Sequence, residues 1–496
     1  MIHSPAGLIR SNWTLQTNAT IVTPMRRRQY IQRFGNEVFF VMRPIYRLVS
    51  PGVAFALCLA FLFCFSPILC AQTNSPPNIV FILADDLGYG DLGCYGHPVA
   101  KTPVIDQLAK DGARFTQHYS NGPECSPTRT ALLTGRYQQR AGGLECAIGT
   151  GNVGRYDEAI RLAEQRDLGL PAEQTVIPGK LKNAGYACGI FGKWHLGYEP
   201  QFNPMNHGWD DFFGYTGGNV HYFNHRETSD LHVLFRGKLP VHREGYMTHL
   251  ITDDSIDFIQ RNKKQPFFLY VAHECPHFPF HGPDEADKVI TADNWMDVDP
   301  KSYVAMLEDL DAETGRLLKA LDEAGVADNT VVVFASDNGG FAGAADMGGL
   351  RGAKGTTFEG GIRVPMIIRW PGRITPGIEC HQPCMTFDLT HSFLKLAGAE
   401  TPDSLEGDDI IGHVVSGRQD YSRTLFWRGK RGDKVWAAVR DGDAKYVRKV
   451  EGGVTEEWRF DLSSDRNETA GMIAGGNVGP LQKKLSDWEA SVRAVR

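Results

Sequence analysis

"NIVFILADD", residues Asn78–Asp86, is an apolar run without alternation that stops at two aspartates. A strand with one wet face alternates apolar and polar residues. A continuous run implies burial on both faces, the habit of a parallel sheet covered by helices. Three more runs end in the same way. "TVVVFA" (Thr330–Ala335) leads to Ser336, Asp337, Asn338, Gly339 and Gly340. "ACGIF" (Ala187–Phe191) leads to Gly192, Lys193, Trp194 and His195. "PFFLYVA" (Pro266–Ala272) leads to His273, then Pro276 and His277.

Helical patterns lie between these runs. Thr102 and Pro103 open one as N-cap and first-turn proline, with Ile105, Leu108 and Ala109 on its apolar face. A second is expected from about Tyr303 to Ala324, with Tyr303, Met306, Leu307, Leu310, Leu317 and Leu321 at helical spacing and Gly325 at its end. Strands alternating with helices predict an α/β sandwich around a mainly parallel sheet. In such sheets ligands bind beyond the carboxyl ends of the strands. Asp85, Asp86, Lys193, His195, His277, Asp337 and Asn338 all fall there, remote in sequence but on one predicted rim.

From about Tyr421 the pattern changes. "KVWAAVR", Asp441-Gly442, "AKYVRKV", Gly452-Gly453 and "EEWRF" read as strands joined by tight turns. Leu481, Leu485, Trp488 and Val492 then mark a closing helix. The expected organisation is a leader over 1–71, a catalytic domain over 72–420 and a small α+β subdomain over 421–496.

The leader carries "PGVAFALCLAFLFCFSPILCA" (Pro51–Ala71), preceded by Arg43 and Arg47. This is the pattern of a secretory signal cleaved after Ala71. The run is also long enough to span a bilayer, so a retained anchor is the alternative. Met42 begins a conventional signal peptide, which makes 1–41 a candidate mis-assigned start. The expected location is periplasmic or extracellular. Export permits disulfides. Of the 10 cysteines three lie in the leader, and Cys380 and Cys384 are the closest remaining pair, read equally as a bridge or as separate thiols. The net charge of −6 gives no sign of a nucleic-acid binder. The oligomeric state is not legible.

Three aspartates and an asparagine at two strand ends offer only oxygen ligands, which suits calcium or magnesium rather than zinc. A second feature adds positive charge. In "CSPTRTALLTGR" (Cys125–Arg136), Ser126 and Pro127 read as N-cap and first turn, placing Cys125 at a helix N-terminus that favours anions. Arg129 follows one turn on, and Lys193, His195, His277 and Lys354 could join it. Metal, cations and a nucleophile position together are equipment for cleaving an oxyanion ester.

The same segment resembles the C-x-P-x-R signature of the type I, formylglycine-dependent sulfatases, including the T-G-R that follows. "NIVFILADDLGYGDLGCYG", "GYACGIFGKWHLG", "SDNGG", "GAKGTTFEGGIRVPMIIRWPG" and "FDLSSD" are similar to further landmarks of that family, in order, over roughly Pro76–Asp465. The resemblance implies an alkaline-phosphatase-like fold with a smaller C-terminal antiparallel sheet and helix. It implies sulfuric ester hydrolysis of the arylsulfatase kind. It also implies that Cys125 is oxidised to formylglycine by a separate generating enzyme that reads the motif during export. By the same resemblance Asp85, Asp86, Asp337, Asn338 and the modified Cys125 would bind calcium. Arg129 would support the aldehyde hydrate, and Lys193, His277 and Lys354 would hold sulfate. His195 would act as base, and His277 or Lys354 would protonate the leaving alcohol.

The substrate is expected to be a sulfated carbohydrate or an aryl sulfate. "TGGNVHYFNHRE" (Thr216–Glu227) and "RGKRGDK" (Arg428–Lys434) are candidate pocket walls, or alternatively solvated loops. A phosphate or phosphonate ester hydrolase on the same scaffold and an inactive glycan-binding relative are the alternative functions.

Overall fold

Alternate residues of the first strand, β1 (Asn78–Ala84), enter two different cores. Ile79, Phe81 and Leu83 belong to one buried cluster, and Val80, Ile82 and Ala84 to the other. All seven residues of the strand are buried, as its unbroken apolar run requires. The computed structural model describes residues 75–141, 144–149, 162, 164–418, 422–471 and 479–493. The leader expected over 1–71 lies outside the described residues.

The strands that follow are β2 (Ala113–Phe115), β3 (His118–Tyr119), β4 (Ala187–Lys193), β5 (Asp211–Tyr215), β6 (Leu234–Arg236), β7 (Leu239–Pro240), β8 (Phe267–Ala272), β9 (Thr330–Ser336), β10 (Met366–Arg369) and β11 (Ile378–Cys380). All but β3 build one sheet with β1, in the order β11-β2-β10-β9-β1-β8-β4-β5-β6-β7. Its centre, β9-β1-β8-β4-β5, is parallel. The flanking pairs β10-β9, β10-β2, β5-β6 and β6-β7 are antiparallel, and the outermost pair β11-β2 is parallel again. The expected mainly parallel sheet is present, and the antiparallel flanks are additions that the short edge strands did not signal.

Helices cover both faces. α1 (Pro103–Lys110) lies on one face and α2 (Cys125–Thr134) and α3 (Ile177–Asn183) on the other. α4 (Met247–Asn262) and α5 (Pro300–Glu323) join α1, through Ile105, Met247, Ile251, Phe258, Met306 and Leu310. The short α6 (Glu359–Ile362) precedes β10 in the sequence. α7 (Asp388–Leu396) and α8 (Ile410–Val415) join α2 and α3. Two expected helix starts need correction. α5 begins at Pro300 rather than Tyr303, because Asp299 caps it by accepting from the Lys301 and Ser302 N–H groups at 3.1 and 3.3 Å. Its polar first turn gives no periodic signal. α2 begins at Cys125, and Ser126 is inside the helix rather than its N-cap. The Ser126 hydroxyl is engaged elsewhere, donating to the His195 carbonyl at 2.8 Å and accepting from the Ile148 N–H at 3.0 Å.

Four strands, Thr424–Arg431, Lys434–Asp441, Ala444–Glu451 and Val454–Asp461, form a separate antiparallel meander. Gly452 and Gly453, both with positive φ, make its last two-residue turn. The first strand contains Arg428–Arg431, four of the seven residues of the segment read as a pocket wall. α9 (Gly479–Arg493) packs on this sheet through Leu481, Leu485 and Trp488, in a cluster shared with Tyr119, Phe358, Ile362 and Phe387. Cys380 and Cys384 are buried free thiols. Among the described residues no helix is long and apolar enough to cross a membrane.

Candidate active site

The parallel centre of the sheet sends the carboxyl ends of β1, β4, β8 and β9 to one edge. Asp85 and Asp86 follow β1, Lys193 ends β4, and Asp337 and Asn338 follow β9. All five are buried. Asp86 and His195 hold left-handed backbone, at φ 61° and 56°, which residues with a side chain seldom adopt. Such conformations persist only where the surroundings fix them.

Cys125 sits at the N-terminus of α2, completely buried, and its thiol donates to Asp85 Oδ1 at 3.2 Å. Lys193 Nζ and Lys354 Nζ approach the same sulfur at 3.4 and 3.6 Å. Each carboxylate of the rim has its own cation. Lys193 pairs with Asp85, Lys354 with Asp86 at 2.7 Å, and Arg129 with Asp337 at 2.9 Å. Arg129 is fixed further by donating to the Lys193 carbonyl at 3.0 Å. His277 Nε2 lies 3.5 Å from Asp86 Oδ2. Asn338 donates to Asp86 Oδ1 at 2.7 Å, and its buried Oδ1 has no hydrogen-bond partner among the described residues.

The electrostatics follow from this packing. Burial first, then Asp337 and Asp85, pushes the Cys125 thiol well above its ordinary value. Burial opposes the charge on Lys193 and Lys354, but Asp85 and Cys125 outweigh it at Lys193, and Asp86 and Cys125 at Lys354, so both are raised and remain ammonium ions. Burial also raises Asp337, helped by Asp85 and opposed by Arg129. His195 and His277 are both held well below the usual imidazole range. Burial is the largest cause for each, followed by Lys193 for His195 and Lys354 for His277.

Every residue proposed for the site from sequence lies on this rim. Ligand atoms of Asp85, Asp86, Cys125 and His277 fall within 4.8 Å of one another, close enough to share one metal ion. Asp337 stands slightly apart. Its Oδ1 accepts from the Asp86 N–H at 3.3 Å, while Oδ2 is taken by Arg129. His277 is therefore nearer to the carboxylate cluster than its expected sulfate role alone implies.

A cleft of about 630 Å³ opens over Cys125, His195, His277 and Lys354. One wall carries Gly218, Asn219 and Glu227 of the Thr216–Glu227 segment, and Arg431 comes from the other flagged segment. Phe278, Trp295 and Phe341 form an aromatic wall that sequence reading missed. Trp295 lies in a turn with no motif and Phe341 directly follows the SDNGG landmark, and tertiary packing brings the two to one wall. Glu124 was also missed, although it directly precedes Cys125. It pairs with Arg431 and accepts from the Ala147 N–H at 2.8 Å.

Fold and site together define an alkaline-phosphatase-like hydrolase of oxyanion esters. The chain belongs to the sulfatase family, the sulfuric ester hydrolases. A family model described as Sulfatase matches residues 77–399, and one described as N-sulphoglucosamine sulphohydrolase, C-terminal, matches residues 353–493. The chain is 35% identical to N-acetylgalactosamine-6-sulfatase of Homo sapiens over 383 residues, covering 73% of this chain and 70% of that protein. It is 34% identical to arylsulfatase A of Homo sapiens over 403 residues, covering 75% and 74% respectively. Among solved structures it is similar to Ps i-CgsB, with a TM-score of 0.73 and 29% identity over 85% of this chain and 94% of that one.

Proposed function

We propose that this sulfatase works through formylglycine generated from Cys125 and a calcium ion, and that its substrate is a sulfated carbohydrate. The observation that carries the reading is the position of Cys125 Sγ. It lies at a helix N-terminus, between two lysine ammonium groups and beside a buried carboxylate pair. A thiol raised by burial is a poor thiolate nucleophile, which favours a converted side chain over direct cysteine chemistry.

The donor set fits a hard divalent ion. Asp85, Asp86, Asp337 and Asn338 offer only oxygens, and the orphaned buried Oδ1 of Asn338 is an acceptor in want of a cation. These four residues and the converted Cys125 would hold calcium, or magnesium. The metal supplies Lewis-acid stabilisation of charge on the transferred group. The converted Cys125 would supply a geminal pair of hydroxyls, one to accept the sulfuryl group as the alcohol leaves and one whose proton loss would let the aldehyde re-form as sulfate departs.

The other residues have separable tasks. Lys193, Lys354 and His277 bind the sulfate oxygens, and Lys354 or His277 protonates the leaving alcohol. Arg129 orients the hydrate from its fixed position on Asp337. His195, held neutral, takes the proton of the second hydroxyl. The aromatic wall and the polar wall of Asn219, Thr228 and Ser229 suit the apolar face and hydroxyls of a sugar ring. N-acetylgalactosamine-6-sulfatase is named for a sulfated sugar, and Ps i-CgsB has been solved with k-i-k-neocarrahexaose. These support a glycan substrate here, with an aryl sulfate as the simpler alternative. The Pro51–Ala71 run supports export, during which a formylglycine-generating enzyme would act on the unfolded chain. We take 72–420 as the catalytic domain and 421–496 as its accessory subdomain.

Mass spectrometry tests the reading. After co-expression with a formylglycine-generating enzyme, the peptide containing Cys125 should have lost its sulfur and gained an aldehyde oxygen. Chelation should then reduce turnover to background and calcium should restore it. Unmodified cysteine in fully active protein would refute the nucleophile, and full activity in verified metal-free protein would refute the metal. Release of sulfate from a panel of sulfated glycans and aryl sulfates identifies the substrate.

A further inference from the structure

We infer that Glu227 and Tyr198 form a latch that positions His195, acting through the backbone of Gly218. The inference rests on the reading of His195 as the base. Glu227 is buried and lines the cleft beside Tyr198. Its Oε1 accepts from the Tyr198 hydroxyl and from the Gly218 N–H at 3.0 Å, and the same N–H reaches Tyr198 Oη at 3.2 Å. These hydrogen bonds close a triangle between the 216–229 segment and Tyr198, which lies three residues beyond His195 in the chain.

Gly218 transmits the constraint. A Cβ built on it would stand 2.6 Å from His195 Nε2 and 3.0 Å from Cε1, so the glycine backbone packs directly on the ring. A Cβ on Gly217 would stand 1.9 Å from Glu227 Oε1. The two glycines thus admit the imidazole at one position and the carboxylate at the next. His195 Nε2 also meets the Ile148 carbonyl. A carbonyl only accepts, so Nε2 carries the ring hydrogen and Nδ1 keeps its lone pair. Nδ1 has no partner among the described residues. The latch therefore fixes the orientation in which the buried basic nitrogen is the one left without a hydrogen-bond partner among the described residues.

Loosening the latch should affect the half of the reaction that needs His195 and spare the half that does not. Glu227→Ala should lower kcat by about 10²-fold, the scale of a misplacement near 1 Å. KM should fall with it, and one equivalent of alcohol should appear before a slow steady state. Gly218→Ala should give the same signature by displacing the ring while leaving the hydrogen-bonding groups in place. Glu227→Gln keeps an acceptor oxygen and should restore near wild-type kinetics. In the unmodified Cys125 chain, hydrogen exchange at residues 216–229 should accelerate in Glu227→Ala and Tyr198→Phe, but not in Glu227→Gln.

A raised KM with unchanged kcat in Glu227→Ala would make Glu227 a substrate contact and overturn the latch, as would unchanged exchange in that variant. His195→Ala separates this from the underlying reading. If it shows neither the burst nor the loss of kcat, the assignment of His195 as base fails, and the latch loses its catalytic role with it. If His195→Ala shows both and Glu227→Ala shows neither, the latch alone fails.

Discussion

On the proposed reading, Cys125 concentrates the chemistry of this protein in one side chain. The reading of two hydroxyls on one carbon makes a sharp demand on its replacement. Cys125→Ser presents one attacking oxygen while Lys193, Lys354 and Arg129 remain to stabilise charge. This variant should release about one equivalent of alcohol per enzyme and stall as a sulfate ester on the introduced serine, visible by mass spectrometry. Cys125→Ala should release none. Turnover by the serine variant at the wild-type rate would show the second hydroxyl to be unnecessary. Retained folding and calcium binding must accompany either outcome. At this scale the sequence was highly legible, because a thiol, an arginine one turn on and paired aspartates are chemical types that packing alone seldom demands. Glu227 was legible only as part of a wall. A carboxylate that works by holding a glycine against a histidine leaves no local pattern.

α5 shows how an element is fixed by residues outside its periodic pattern. Asp299 caps it with Oδ1, while Oδ2 pairs with Lys288 at 2.8 Å. Asp299→Ala should destabilise the fold by about 1 kcal/mol in urea unfolding, the usual value of a cap. The hydrogen bond from Lys288 holds the Asp299 carboxyl down at about 2, below its ordinary 3.8, with burial opposing and Ser302 assisting. A depressed acid stabilises the fold above its unfolded value and loses that contribution as pH falls. Asp299→Asn retains the cap acceptor but cannot titrate. The stability gap between wild type and Asp299→Asn should therefore narrow from pH 3.8 towards about 2, and a gap independent of pH there would contradict the pairing. Asp299 is partly exposed, so the gap itself should be small.

Across the whole molecule, the small sheet is tied to the active-site side of the large one by a buried charge cluster. Lys445 of the third meander strand, fully buried, lies 2.8 Å from Glu359 of α6 and 2.9 Å from Glu468. Glu359 also pairs with Arg363 at 3.1 Å, and its segment follows Lys354 directly in the chain. Removing one partner of a buried ion cluster leaves uncompensated charge. Lys445→Met should cost about 3–5 kcal/mol by chemical denaturation. Burial first raises Glu468, to about 7 from an ordinary 4.5, against the pull of Lys445. A raised acid favours the folded state at low pH and loses that advantage as pH rises through its folded value. Without Lys445 the Glu468 carboxyl rises further above about 7, so Lys445→Met should regain stability relative to wild type as pH is lowered from alkaline values towards about 7. A deficit that stays constant across this window would show the lysine to act by packing alone.

The sequence by itself determined the layered α/β class, the rim and the chemical types on it. Continuous apolar runs can be satisfied only by burial on both faces, and parallel strands must place their carboxyl ends together. The tight glycine turns of the meander and the face of its closing helix were equally local, since backbone sterics and helical period act over a few residues. The tertiary structure decided the antiparallel flanks of the large sheet, the start of α2 at Cys125, the free thiols at Cys380 and Cys384, and the aromatic wall of the cleft. Each depends on partners far away in the chain. Ser126 is claimed by the His195 carbonyl, Phe341 meets Phe278 with ring centroids 5.3 Å apart, and Trp295 lines the same cleft, although the three share no segment. Periodicity and propensity describe neighbours in sequence, and these positions are set by which distant surfaces must be buried against one another.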